Sequence, residues 1–367
     1  MLFLLTGARP SESALLTLDT NLSTNEQYTD NVIISSSGRE SDWITSVNPS
    51  LHLGYHPVGF SGDLAYQIQP TWYLRHPELD RINQSGDVHL TKENPLWTAK
   101  GGGGVISTTM SQEVAQANGG ILIPQTRFIQ QQAQAEFQYR QTRLASTVVN
   151  YSYFSTRYNS SSLVDSLSHN AGFSETYGAT ANDQLTFSGG WSVYHFGLGQ
   201  SSTAETGMLR WNHQAGALLL LRFGTGVGVV SGSSIEWLVN AKVEKKTEAG
   251  SLTAGYQRDI GAGGGLSAAS VVNQRLDLSA TQGIAPGLSG SLSVMVGESS
   301  GIQGQSFETR TWTVSAGMAY KLVRWLDGTA AVSHSDQRSR GTFLGKVRTD
   351  QIIVGLSTHL LPWVLVQ

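Results

Sequence analysis

The chain has 367 residues, 41 of them glycine, with no cysteine and a formal net charge of −3. The lack of cysteine excludes disulfides, thiolate metal sites, covalently attached haem and cysteine nucleophiles, and the charge balance argues against a nucleic-acid partner. Hydrophobic residues make up 39% and charged residues 14% of the chain, and both shares are low for a soluble protein. A transmembrane β-barrel explains both, because one face of its wall meets lipid and the other meets water.

The chain begins with the apolar stretch MLFLLTGARP. This stretch resembles the end of a signal-peptide apolar region, although no basic residue precedes it. We therefore interpret 1–13 as a signal-peptide remnant or an N-terminal lead, and 14–367 as a single barrel domain. The sequence contains no run of about eighteen apolar residues, which a transmembrane helix would need.

Alternation of apolar and polar residues begins near Trp43 and recurs to the end of the chain. In the segment Phe60–Arg75, apolar residues alternate with mostly polar ones. The apolar set is Leu64, Tyr66 and Ile68, and the polar set is Asp63, Ala65 and Gln67. Neighbours in a strand point to opposite sides of a sheet. We therefore expect the apolar set to face lipid and the polar set to face the lumen.

Segment length and connection length distinguish a membrane barrel from a soluble sandwich. The alternating segments span about ten to sixteen residues, which exceeds the usual soluble strand and suffices for a tilted strand to cross a bilayer. Short turns are expected near 57–59, 141–142, 182–183, 247–250 and 285–287, and longer loops near 35–42, 76–86, 111–125, 159–168 and 299–305. This alternation is typical of outer-membrane barrels. The sequence thus predicts an all-β fold, a single antiparallel transmembrane barrel of about eighteen strands, with sixteen as an alternative.

Aromatic residues cluster near the expected strand ends, among them Trp72, Trp191 and Trp312. Such rings form girdles at the level of the lipid headgroups, and packing in an ordinary core is the alternative. The glycine-rich stretches 101–104 and 261–265 lack the surrounding strand and helix of a phosphate-binding loop. We assign them to turns or to sheet curvature.

Charged and amide residues recur on the polar faces of the expected strands. The candidate lumen-lining residues are Asp63, Gln67, Arg75, Lys242, Glu244, Gln257, Asp259, Arg275, Asp277 and Lys321. A charge on the lipid face costs about 2 to 4 kcal/mol near the midplane, so these side chains belong in the lumen or at its rims. Two roles stay open: they tune the selectivity of a conduit, or they pair to fill and stiffen the lumen.

The sequence shows no enzyme site. Its G-x-S-x-G stretch, Gly297–Gly301, ends an expected strand and leads into an expected loop, not into the helix of a nucleophile elbow, and its nine histidines are scattered. His52 and His56 point to the same side of one strand but lie about 13 Å apart, too far to share a metal. We predict no catalytic residue, no metal site and no cofactor.

One part of the chain resembles a known family. Tyr28, Asp30, Asn31 and Val32 form a Y-x-D-N-V strand end, followed by a Ser-rich turn and the segment Asp42–Leu51, of the type D-x-I-T-x-V-x-P-x-L. These motifs are similar to the start of a porin-like outer-membrane barrel family that accompanies exopolysaccharide and exosortase sorting systems in Gram-negative bacteria. The match covers roughly 21–66. The resemblance implies a bacterial outer-membrane location and a role in polymer export, and it places Asp30 and Asn31 near the external rim.

Three functions are compatible with this reading. We favour an outer-membrane porin-like conduit, with export of an extracellular polysaccharide or another polymer as the role that the resemblance implies. A structural barrel that sheathes or anchors a partner is the second, and a barrel-embedded enzyme acting on lipids is the third. The expected partners are the lipid bilayer and an envelope export or electron-transfer protein.

Overall fold

The computed structural model describes residues 16–109, 122–123, 125–197, 199–232, 235–263, 265–302, 307–341, 345–359 and 363–366. These residues form one antiparallel sheet that closes on itself into a barrel of eighteen strands. The predicted fold class is therefore confirmed. The predicted lead at 1–13 lies outside the described residues.

The strands follow one another around the ring in chain order. Their bounds are β1 Leu16–Thr29, β2 Asp42–Tyr55, β3 Phe60–Tyr73, β4 Arg81–Glu93, β5 Trp97–Thr109, β6 Arg127–Arg140, β7 Ala145–Tyr158, β8 Ser166–Gly178, β9 Asp183–Phe196, β10 Ser201–Ala215, β11 Leu219–Val230, β12 Ile235–Thr247, β13 Gly250–Ala262, β14 Ser270–Ala285, β15 Leu288–Gly301, β16 Glu308–Val323, β17 Leu326–Arg340 and β18 Lys346–His359. A short segment, β19 Trp363–Val366, extends β18 along β1. A single 3₁₀ turn, Pro77–Leu79, lies between β3 and β4.

Closure joins the first strand to the last. The β1–β18 ladder runs antiparallel from Asn21 opposite His359 to Thr29 opposite Gln351. The closure leaves neither strand as a free edge, and a sheet without edges is a requirement for a barrel in lipid. No helix among the described residues is long and apolar enough to cross a membrane.

The two ends of the barrel differ in the length of their connections. The turns at one end, from 56–59 to 324–325, have two to four residues, whereas the connections at the other end, such as 30–41 and 110–126, have four to seventeen. Short turns face the periplasm and long loops face outward in this class of barrel, so we call the second end the external end. Two predicted boundaries were wrong: β3 ends at Tyr73 rather than Arg75, and the loop predicted at 76–86 is 74–80 because β4 already begins at Arg81.

Along most of the wall the period of two separates the faces. On β3, Leu64 and Tyr66 are exposed on the outer surface, whereas Ala65 and Gln67 line a cavity on the inside. Outward aromatic residues lie near strand ends, including Trp43, Trp72, Trp191, Trp237 and Trp312. This apolar outer band with aromatic girdles is the surface of an outer-membrane barrel, and the chain is located in the bacterial outer membrane.

The regular wall is interrupted at the external end of β13 and β14, in addition to a short gap in the β2–β3 ladder between Ser46 and Ser50. Pairing between β12 and β13 stops at Val239 opposite Arg258, whereas β13 and β14 stay paired up to Ala262 opposite Ser270. The tip of this hairpin therefore leaves the wall and leans into the barrel. Even-numbered residues of β14 such as Leu276 face outward, but Val272 is buried. It packs in a cluster with Tyr194 and Phe196, which lie on the inner face of β9.

Candidate functional site: the lumen

A central cavity of about 570 Å³ occupies the middle and outer part of the lumen. Residues from β4–β9 line one side of it and residues from β13–β15 the other, so the cavity spans the barrel between opposite walls. Amide and hydroxyl side chains predominate: Gln132, Gln134, Ser152, Ser168, Asn170, Gln257, Asn273 and Ser299. Each amide offers both donors and an acceptor, so this lining suits neutral, hydrogen-bonding solutes.

Three of the residues predicted from the sequence, Gln257, Asp259 and Arg275, line this cavity. Gln257 donates a hydrogen bond to the carboxylate of Asp259, and Arg275 Nε donates to Asp277 Oδ1 at 2.6 Å. Arg275 is therefore paired with a carboxylate on its own strand, whereas the partner of Asp259 on β13 is a neutral amide.

Lys242 and Glu244 lie closer to the periplasmic end, on the inward face of β12. Lys242 Nζ lies 3.3 Å from Glu244 Oε2. Lys321, near the end of β16, is the register partner of Asp327 on β17. These residues are separated from the central cavity and belong to the lower lumen and its rim.

A second small group lies on the wall formed by β1–β4. Asp63 Oδ1 lies 3.2 Å from His52 Nε2 and 3.3 Å from His56 Nε2. The predicted separation of about 13 Å between the two histidines was wrong, because His56 lies beyond the end of β2 and both rings contact the same carboxylate oxygen of β3. Gln67 lines an inner cavity beside this group, together with Asp19 and other residues.

Arg75 is the one candidate that lies outside the strands. It follows β3 in the 74–80 loop, and its guanidinium donates to Ser41 Oγ at 3.1 Å. Its backbone N–H donates to Asp42 at 2.9 Å. Arg75 therefore connects two external loops at the rim and does not form part of the lumen wall.

The external mouth is closed by apolar side chains from several loops. Leu122 and Ile123, at the end of the connection between β5 and β6, are fully buried. Leu266, from the connection between β13 and β14, packs against two buried clusters, one of Ile123, Phe128 and Leu163 and the other of Leu122 and Val347. These clusters include residues of β6 and β18, which belong to distant parts of the wall, so Leu266 links the two sides of the mouth. Residues 111–121 and 124 of the long loop predicted at 111–125 lie outside the described part of the chain.

One buried amide fixes this closure. Gln337 on β17 is 0% exposed. Its Oε1 accepts the Leu122 N–H at 2.6 Å and its Nε2 donates to the Leu122 carbonyl at 2.9 Å. The two bonds tie the loop to the inner wall and satisfy both backbone groups of a residue that has no strand partner.

The family-like motif lies at the closing seam between β1 and β18. The ring of Tyr28 faces outward and packs on Trp43, with centroids 5.3 Å apart. Asp30 pairs with Arg39 at 2.7 Å and accepts the backbone N–H of Asp350. Asn31 is buried and donates to the carbonyl of Arg348 at 2.8 Å. These contacts tie the first external loop to the last strand.

Sequence reasoning missed the residues that line the opposite wall of the cavity. Gln132 and Gln134 lie two residues apart on β6, and this alternation was the signal that could have identified them. Gln337 carried no local signal, because its partner Leu122 is 215 residues away in the sequence.

Comparison with known proteins supports the fold. No family model and no curated relative matches the sequence. Similar solved structures include the siderophore receptor PirA from Pseudomonas aeruginosa, with a TM-score of 0.52 and 10% identity, covering 96% of this chain and 81% of that one. OccK2 (OpdF) from Pseudomonas aeruginosa, solved in complex with glucuronate, gives a TM-score of 0.52 and 13% identity, covering 94% of this chain and 98% of that one. At these identities the similarity shows an outer-membrane barrel fold and nothing more specific.

Proposed function

We propose that the chain is a porin-like conduit for hydroxyl-rich solutes, and that an extracellular polysaccharide is the class of substrate it carries. The central cavity is the observation on which this proposal depends. Its amide and hydroxyl lining comes from opposite walls, and its Arg275 is paired with Asp277. A lining of this kind can exchange hydrogen bonds with successive sugar hydroxyls without holding an ion.

The polysaccharide assignment has two supports. One is the chemistry of the lining, which favours neutral polar solutes over ions. The other is the resemblance of 21–66 to barrels that accompany exopolysaccharide systems. A wall that only stiffened the barrel would not need its amides to converge on an open cavity.

Conduction requires the external closure to open. Leu122 and Leu266 fill the mouth, and Gln337 holds Leu122 in place. The Gln337→Ala substitution leaves the N–H and carbonyl of Leu122 without their partner, which costs about 1 to 3 kcal/mol. Since about 1.4 kcal/mol changes an equilibrium tenfold, we expect the open population to rise by between about fivefold and about a hundredfold.

Single-channel recording in planar bilayers tests the proposal. We expect rare openings of the native protein and much more frequent openings of Gln337→Ala. Thr329→Ala is the matched control, because Thr329 lies inward on the same strand near the periplasmic end, and it should behave as the native protein does. Soluble neutral oligosaccharides added to the open variant should produce transient blockades. A protein that stays silent in both variants, or an open variant that oligosaccharides never block, would contradict the proposed function.

A further inference from the structure

A row of charged residues crosses the outer surface of β15–β18 at the external end. Glu298, Arg310, Arg338 and Lys346 are register partners on these four successive strands. On β15–β18 the even-numbered side chains face outward, as Trp312 does on the lipid side of β16. The four residues of the row have even numbers and therefore face outward too. The four side chains therefore lie next to one another on the outside of the barrel, one step beyond Trp312 toward the external end.

Three neighbouring basic side chains need an anion. Residues directly opposite on adjacent strands have Cβ atoms about 4.5 to 5.5 Å apart, and like charges at such positions are destabilising. Glu298 and Glu308 both contact Arg310 Nε, at 3.1 and 2.9 Å. These two carboxylates therefore neutralise Arg310.

The other two members have weaker acidic partners. Arg338 Nε lies 3.8 Å from Asp336, which Arg348 already holds at 2.5 Å. Within the described part of the chain, Lys346 forms no ion pair. Arg338 and Lys346 therefore present positive charge that the protein itself does not balance.

The patch is exposed, and lysine and arginine are unevenly distributed around the rim. The side chain of Arg338 is 71% exposed and that of Arg340, two residues further along β17, is 86% exposed. On β8–β12 the outward residues at the external ends include no lysine or arginine: Leu167, His195, Thr203, Val229 and Ile235. A second, smaller pair of outward arginines, Arg127 and Arg157, lies on β6 and β7.

The position of the row relative to the membrane points to the class of binding partner. A girdle tryptophan such as Trp312 lies at the level of the lipid headgroups, and charges beyond it cost little. Guanidinium groups match phosphate with paired hydrogen bonds, and an ammonium adds a point charge. We propose that Arg338 and Lys346 bind the phosphate groups of a phosphorylated glycolipid in the outer leaflet. The proposal does not depend on the function of the lumen.

Native mass spectrometry of the detergent-solubilised full chain tests the site, with bis-phosphorylated lipid A and its dephosphorylated form as probes. The test variant is R338Q/K346Q. The control is R127Q/R157Q, which removes two outward basic residues from β6 and β7. Retention of the barrel fold is checked by the gel shift between heated and unheated samples.

We expect the native protein to bind bis-phosphorylated lipid A, the test variant to bind it about tenfold more weakly or worse, and the control to stay within about twofold. Dephosphorylated lipid should bind weakly to all three proteins. Equal binding by native protein and test variant, or equal binding of both lipids, would overturn the site. Displacement by millimolar inorganic phosphate would also overturn it, since the ligand would then be a soluble anion. If the double variant does not fold, Lys346→Gln alone gives the same comparison, with a smaller expected loss.

Discussion

Strand β3 and the tip of the β13–β14 hairpin both alternate in sequence, but their side chains face different environments. On β3 the even-numbered residues Leu64 and Tyr66 face outward, and their odd-numbered neighbours face the lumen. At the hairpin tip the even-numbered Val272 is buried against the inner face of β9. The difference lies in pairing: at Leu64 and Tyr66, β3 is bonded to both β2 and β4, whereas β13, the partner of β14 in the hairpin, loses β12 beyond Arg258. Val272 still pairs with Ile260 on β13 and with Ser300 on β15, but on the β12 side the hairpin is no longer bonded to the wall. The period of two therefore distinguishes lipid from lumen only where the pairing continues into the neighbouring hairpin.

The largest expected effect separates the two faces of β3. Replacing Leu64, which is 45% exposed on the outer surface, by Arg should destabilise folding into bilayers by about 2 to 4 kcal/mol if the residue lies near the midplane. Replacing the adjacent Ala65 by Arg should cost far less, because that side chain can reach water and Asp63. Urea-dependent folding into lipid vesicles measures both. Equal penalties, or a larger one for Ala65→Arg, would show that the assignment of faces is reversed.

This comparison also shows how far the sequence alone can predict the structure. The barrel, its even strand number and the faces of β3 follow from local alternation, because each depends on a period that a few neighbouring residues display. The position where β12 and β13 separate does not follow, because Val239 and Arg258 look like ordinary strand residues. The contact of Gln337 with Leu122 is equally invisible, since it joins distant segments. The sequence thus predicts the wall of the candidate site, whereas the closed mouth depends on long-range packing.

A smaller effect should sharpen the contrast at the hairpin tip. Val272→Ala removes two methyl groups from a buried cluster and should cost about 2 kcal/mol, partly for the cavity left behind. Val296→Ala on β15 removes the same atoms from an exposed outward position, where lipid tails fill the space, and should cost less than about 1 kcal/mol. Thermal or urea unfolding in the same vesicles gives both values. Equal costs would mean that the tip lies in the wall like any other strand end.

The smallest effect concerns the loops above β3, where ion pairs take the place of apolar packing. His76 Nδ1 lies 2.9 Å from Glu78 and His76 Nε2 lies 3.1 Å from Glu40 of the first external loop. The hydrogen bond to Glu78, followed by the charges of Glu78, Asp42 and Glu40, raises the pKa of His76 above its ordinary value. The folded state thus holds the proton more tightly than the unfolded state. Its contribution is fully present below the unfolded pKa of about 6.5 and is lost as the pH rises through the folded pKa.

Hydrogen–deuterium exchange of 30–41 and 74–80, corrected for intrinsic rates, checks this pH dependence. Protection should be greater at pH 5.5 than at pH 8 in the native protein, and His76→Gln should remove most of the difference. The hairpin-tip residues around Val272 should show no such change, because their cluster contains no histidine. A pH response at the tip that equals the response in these loops would indicate that the whole mouth opens as one unit. The loops above β3, which are held by ion pairs, and the apolar tip of the β13–β14 hairpin would then not be separate regions.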